Sequence, residues 1–89
     1  MYTSDPEHLF LKWAFKAGAI DADQLLEFNR RTAEERPGEY LMDLLVEWEY
    51  LTREAMAALL EPAELDRGVA DGLIPRALAD QISGLEVPR

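Results

Sequence analysis

His8 is the only histidine in the chain, and it stands among Ser4, Asp5 and Glu7. These are the residue types of nucleophilic catalysis and of metal binding. Their spacing serves neither, because all four crowd into one helical turn. A triad cannot be assembled from groups so close in sequence, and a metal site wants several ligands converging. His8 therefore reads as a surface residue at a helix start. Paired carboxylates are another route to acid–base chemistry, and Glu47 with Glu49, and Asp21 with Asp23, are the close pairs. Solvation and capping account for both, since they fall on polar faces and at helix starts. The chain has no cysteine, which excludes thiolate chemistry and disulfide staples. Neither G-x-x-x-x-G-K-[ST] nor G-x-G-x-x-G occurs. The expectation is a non-enzyme with no catalytic residue, no metal ligand and no cofactor.

Charge narrows the partners. The net charge is −9 over 89 residues, and it is uneven. Residues 1–38 carry seven acids and five bases, whereas residues 39–89 carry eleven acids and four bases. Such a surface repels nucleic acid and anionic lipid at long range. It reads either as a solubilising coat or as an acidic face that steers a basic partner. The one basic cluster is Arg30, Arg31 and Arg36. It reads as cations suited to the carbonyl end of a helix, with an anion or acidic-peptide site as the alternative.

These groups need elements to hold them. Hydrophobic residues make up 48% of the chain and charged residues 30%, a balance typical of a folded protein. At this length one domain is expected, over residues 1–84, with 85–89 as a tail. No apolar run reaches the ~18 residues of a membrane span, so no direct membrane insertion is expected. The N-terminus lacks a basic stretch followed by a greasy one, so a signal peptide is not expected either. A cytoplasmic setting follows as the default.

The organising stretch is Glu39 to Leu60. Leu41, Leu44, Leu45 and Trp48 fall on one helical face, and Met42 and Val46 add a second stripe. A helix apolar on so much of its circumference belongs at the centre of a bundle. Before it, Asp5 and Pro6 start a helix running to about Ala17. Its face is Phe10, Trp13, Ala14 and Ala17, with Leu11 and Phe15 as a second stripe and Lys12 and Lys16 as a polar edge. Gly18 fits a left-handed terminating position. Asp21 and Gln24 form a capping box, and Ile20 and Leu25 a staple. That helix runs to about Ala33, with Leu25, Leu26 and Phe28 inward. Arg36-Pro37-Gly38 breaks the chain, and Pro37 can open the central helix.

After Trp48-Glu49 the device recurs, with Thr52 as cap and Leu51 and Met56 as staple. Pro62 opens a further helix to about Ala70, and Gly72 ends it. Leu73-Ile74-Pro75 begins the last helix, carrying Leu78 and Ile82, and Ser83-Gly84 closes it.

Shifting the chain by 31 positions sets Phe10 on Leu41, Leu11 on Met42, Trp13 on Leu44 and Ala14 on Leu45. It also sets Ile20 on Leu51, Asp21 on Thr52 and Leu25 on Met56. Copies are expected at residues 8–34 and 39–61. A fainter third spans 62–83, where Gly72-Leu73-Ile74 imitates Gly18-Ala19-Ile20. Hairpins that cannot bury both faces alone must stack. The expected fold is all-α, a compact bundle of five to six short helices built from repeated helical hairpins.

On these residues the chain resembles the small helical N-terminal domain of type II secretion and type IV pilus assembly ATPases. Leu41, Leu45, Leu51, Thr52, Met56 and Leu60 match that family's frame and cap in one copy. Gly18, Ile20, Asp21 and Leu25 match it in the other. The resemblance covers roughly residues 8–82. It implies one of two functions, binding of cyclic di-GMP through Arg and Gly positions or docking onto a protein partner at the inner membrane. This chain departs from the nucleotide-binding pattern. Tyr40 stands at the Arg position, Met42 at the Gly position and Glu49 at the turn Gly. Leu9 and Leu11 replace the Arg and Gly of the first copy, and Ala63 stands where the last Gln is expected. A dianionic ligand needs exposed backbone N–H groups and a cationic clamp, and the substitutions remove both.

A helix-turn-helix reading fails for want of basic residues. Thr52 to Leu60 holds only Arg53, and no nucleic-acid partner is expected. What remains is a non-catalytic protein-interaction or adaptor domain. Its candidate surface is Leu11, Phe15, Tyr40, Met42, Val46, Glu47, Trp48, Glu49 and Tyr50, flanked by Asp43. Aromatic anchors with acidic surroundings suit a basic amphipathic helix or a second copy of the chain, although all of these side chains are also candidates for core. The alternatives are a nucleotide-sensing regulatory module and a self-associating scaffold.

Overall fold

Three turns of one kind set the course of the chain. The structure, a computed structural model, describes residues 6–88. Among these are six helices and no strand. They are α1 (Pro6–Lys16), α2 (Ala22–Glu35), α3 (Leu41–Glu47), α4 (Arg53–Leu59), α5 (Pro62–Ala70) and α6 (Arg76–Ile82). The protein is an all-α bundle with a radius of gyration of 12.5 Å, close to the ~12 Å of a packed chain this long. The expected cap at Asp5 lies outside the described residues.

The turns join α1 to α2, α3 to α4 and α5 to α6, and each begins with a residue at positive φ. Gly18 has φ 84°, Glu49 61° and Gly72 75°. Each closes by the same pair of hydrogen bonds. Ala19 N–H donates to Ala14 O (2.9 Å), Tyr50 N–H to Leu45 O (2.9 Å) and Leu73 N–H to Gly68 O (2.9 Å). Gly18, Glu49 and Gly72 N–H donate to Phe15, Val46 and Val69 O, each at 3.1 Å. This is the Schellman termination, which satisfies carbonyls orphaned at a helix end.

An aliphatic residue then turns inward, and Ile20, Leu51 and Ile74 are all buried. Next comes an extended cap residue, Asp21, Thr52 or Pro75. Asp21 completes a capping box with Gln24, and Thr52 accepts from Ala55 N–H. Pro75 has no side chain to accept with, and its copy starts without that bond.

The repeat also explains burial. Leu11, Met42 and Leu65 are equivalent and all three are core, as are Phe28, Leu59 and Ile82. One step along the same stripe, Phe15, Val46 and Val69 reach the rim and are partly exposed. The second stripe therefore goes inward at its first position and outward at its second.

Several expectations need correcting. The hub is α1, not the stretch around α3, because α1 packs against α2, α3 and α6 while α5 packs against α4 and α6. At its middle Trp13 is buried and donates from Nε1 to Leu59 O at 2.8 Å, satisfying the carbonyl that ends α4. Pro37 does not open α3. The residue before a proline is pushed out of the helical region, so Arg36 ends α2 instead. Gly38 at φ 82° then delays the next helix to Leu41. Helix α2 outlasts the expected Ala33 because Arg30–Glu34 and Arg31–Glu35 are i,i+4 pairs that support its last turn. Ala17 lies beyond α1 and is exposed, and Leu26 faces outward at 68% exposure. Residues 85–88 are more than a tail, because Leu85 and Val87 pack against the core.

Candidate partner-docking surface

Residues on one side of α2 meet the α3–α4 turn to form an aromatic cluster. Phe28 is buried and serves as its floor. Trp48, at the C-terminal cap of α3, sets its ring edge-on to Phe28 at 5.8 Å between centroids and 71°. Tyr50, just past Glu49, does the same at 5.3 Å and 77°. Edge-to-face geometry places the positive ring edge against the negative face. The turn puts both rings on one floor because left-handed Glu49 reverses the chain between them.

Polar groups fix the rims of these rings. The Arg31 guanidinium lies 4.2 Å from the Trp48 ring centroid, a cation–π arrangement. Arg31 Nε also donates to Glu35 at 3.3 Å. The Tyr50 hydroxyl donates to Glu27 Oε1 at 2.8 Å. Burial raises the Tyr50 pKa above the phenol's ordinary value, and the Glu27 hydrogen bond adds to it. The Tyr50 hydroxyl and Glu35 in turn hold the Arg31 charge more firmly.

Of the expected surface residues, the structure brings Trp48 and Tyr50 into this cluster and separates the others. Leu11 at 2% exposure and Met42 at 0% are core and present nothing to a partner. The reason is the repeat, which buries that position in each hairpin. Phe15 is 37% exposed but belongs to the α1–α2 turn. Glu47 is not a free carboxylate, since it accepts from Arg36 Nη1 at 2.7 Å while Arg36 Nη2 reaches Glu39 at 2.6 Å. Those two carboxylates, Glu39 first, raise the pKa of the guanidinium.

Val46 and Glu49 face a different feature, a shallow groove of about 250 Å³ shared with Leu51, Thr52, Arg53 and Glu54. Tyr40 lies half-buried before α3, and its hydroxyl donates to Glu86 O at 3.3 Å. Burial raises its pKa, with the Glu7 charge second.

Sequence reasoning missed Phe28 and Arg31 as members of the cluster. The signal was present, because residues three apart share a helix face. The acidic-peptide reading of the arginines finds no support, since Arg30, Arg31 and Arg36 are each paired with glutamate. A larger groove of about 450 Å³ runs between the start of α1 and the α2–α3 loop, past His8, Asn29, Thr32 and Arg36. Its arginine is the one bridging Glu39 and Glu47. Among the described residues no group of three or more His, Asp or Glu is placed to hold a metal ion. No helix among them is long and apolar enough to cross a membrane. Comparison with protein-family models, curated proteins and solved structures finds no match to this chain.

Proposed function

We propose that this chain is a non-catalytic protein-docking module of the cytoplasm, and that its contact surface is the Trp48–Tyr50 shelf. The observation that carries this reading is the fixing of two partly exposed aromatic rings on Phe28 by Arg31 and Glu27. Trp, Tyr and Arg are the residue types that dominate binding energy at interfaces. Rings already held in place lose little freedom when a partner arrives. The partner is a basic amphipathic helix. Its apolar stripe covers the two rings, and its cations meet the net charge of −9. The reading corresponds to the docking branch of the ATPase N-terminal domains that the chain resembles. Met42 supports that choice, because the position where the nucleotide-binding pattern has a glycine is filled by a buried side chain.

Titration of the isotope-labelled chain with a synthetic Leu/Lys amphipathic helix, against a Leu/Glu helix of the same pattern, tests the proposal. Resonances of Trp48, Tyr50 and Arg31 move with the basic peptide alone. The shift weakens with salt and is lost in a folded Trp48→Ala variant. Equal responses to both peptides, or shifts confined elsewhere, refute it. Calorimetry with cyclic di-GMP separates the rival, for which micromolar binding would replace the docking reading.

A further inference from the structure

Past Gly84 the chain runs from residue 85 to 88 without regular secondary structure. Leu85 and Val87 pack against the core, while Glu86 between them is exposed. Alternation of this kind is what an extended segment gives when one face lies on protein and the other in water. Two side chains from distant parts of the sequence grip its backbone. The Tyr40 hydroxyl donates to Glu86 O at 3.3 Å, and Arg53 Nε donates to Pro88 O at 3.1 Å. Tyr40 precedes α3 and Arg53 opens α4, so neither element adjoins α6 in the chain.

In both bonds the receptor side chain donates and a backbone carbonyl of the segment accepts. Pro88 fits that division, because proline has no N–H to satisfy yet accepts as any residue does. Arg53 also lines the 250 Å³ groove, together with Val46, Glu49, Leu51, Thr52 and Glu54.

We propose that the Tyr40–Arg53 surface is a receptor for an extended peptide segment. Its form is an apolar residue, any residue, a second apolar residue and a proline. Residues 85–88 occupy it in cis as a displaceable strap. The strap's effective concentration is in the millimolar range typical of a short tether. A competing segment in trans takes the site once the strap is weakened. This surface shares no residue with the Trp48–Tyr50 shelf, so either proposal can fail without the other.

The test uses the full chain carrying Leu85→Asp and Val87→Asp, which strips the strap of its apolar face. The probe is the synthetic peptide Gly-Leu-Glu-Val-Pro-Arg. The double variant is expected to fold and to bind the peptide at least about ten-fold more tightly than the unaltered chain, because the cis competitor is gone. Tyr40 and Arg53 resonances return toward their original positions as the peptide binds. Adding Tyr40→Phe or Arg53→Ala weakens binding by roughly 2- to 10-fold each, the loss of one hydrogen bond. A peptide with Asp in place of Leu and Val does not bind.

A concentration-dependent dimer of the unaltered chain in which straps are exchanged also supports the proposal, since it places the segment in trans. Three results overturn it. They are a double variant that fails to fold, making the segment part of the core; no peptide binding by a folded variant; and equal binding by variant and original.

Discussion

The indole of Trp13 lies against the backbone of Gly68. A Cβ at position 68 would stand 2.7 Å from the ring's Cη2 and 2.8 Å from its Cζ3. Trp13 cannot easily retreat, because it is 1% exposed and its Nε1 is committed to Leu59 O. Position 68 lies inside α5, where alanine would otherwise gain about 1 kcal/mol over glycine. Overlap in a packed core costs about 1–3 kcal/mol. Gly68→Ala is therefore expected to lower stability by up to about 2 kcal/mol, because the overlap outweighs the propensity gain. Trp13→Phe should remove much of the Gly68→Ala penalty while adding its own cost for the lost bond. Urea midpoints of the two single variants and the double variant close the cycle, and simple additivity would count against the contact.

Glu49 is the one non-glycine residue at positive φ among the described residues, at the place where the sister turns carry Gly18 and Gly72. A left-handed conformation costs a side chain of order 1–3 kcal/mol, and glycine escapes that cost at the expense of unfolded-state entropy. Glu49→Gly is expected to raise stability by up to about 1 kcal/mol. Gly18→Ala and Gly72→Ala should each lose about 1 kcal/mol from backbone strain alone, because a Cβ at either site meets nothing within 4 Å. Thermal unfolding reads all three, and a less stable Glu49→Gly would mean that the carboxylate itself supports the turn.

Much of the fold was legible because its signals are local. Asp21 with Gln24, Thr52, Pro62 and Gly72 announce helix ends by chemistry that acts within a few residues. The spacing of Ile20, Leu51 and Ile74 then reveals the repeated turn. Long-range relations were not legible. Nothing near Trp13 in sequence says that its indole will cap α4, 46 residues on, so apolar patterning alone points to α3 as the hub. Periodicity also cannot tell which of two apolar stripes goes inward, and for that reason Leu11 and Met42 read as surface candidates. The shelf was half visible. Trp48 and Tyr50 stand out by type, but Phe28 and Arg31 join them only once α2 is laid across the turn.

Leu26 and Phe28 make that distinction measurable. The two lie on one helix two residues apart, with Leu26 68% exposed and Phe28 fully buried beneath Trp48 and Tyr50. Leu26→Ala is expected to change stability by less than about 0.5 kcal/mol, as surface substitutions do. Phe28→Ala should cost about 3–5 kcal/mol through lost burial and the cavity left behind. Phe28→Leu, milder, should loosen the shelf before it unfolds the bundle, seen as loss of the near-ultraviolet circular dichroism of Trp48 and Tyr50. Comparable losses for Leu26→Ala and Phe28→Ala would contradict the orientation of α2.

Tyr40 and Tyr50 both hold their protons above the ordinary phenol value of 10.0, chiefly through burial. A group that keeps its proton in the fold after the unfolded chain has released it makes stability fall as pH rises. The stabilisation is complete below about pH 10 and is lost as pH climbs from there through the folded values. Urea midpoints should therefore drop more steeply above about pH 10 in the original chain than in Tyr50→Phe or Tyr40→Phe. Glu27 supplies the second cause at Tyr50, so Glu27→Gln should bring that phenol's titration partway back, while Tyr40 is unmoved. Phenolate absorbance followed through the alkaline range checks both statements. Tyrosines that titrate together at the ordinary value would show that neither ring is held as the shelf and the strap require.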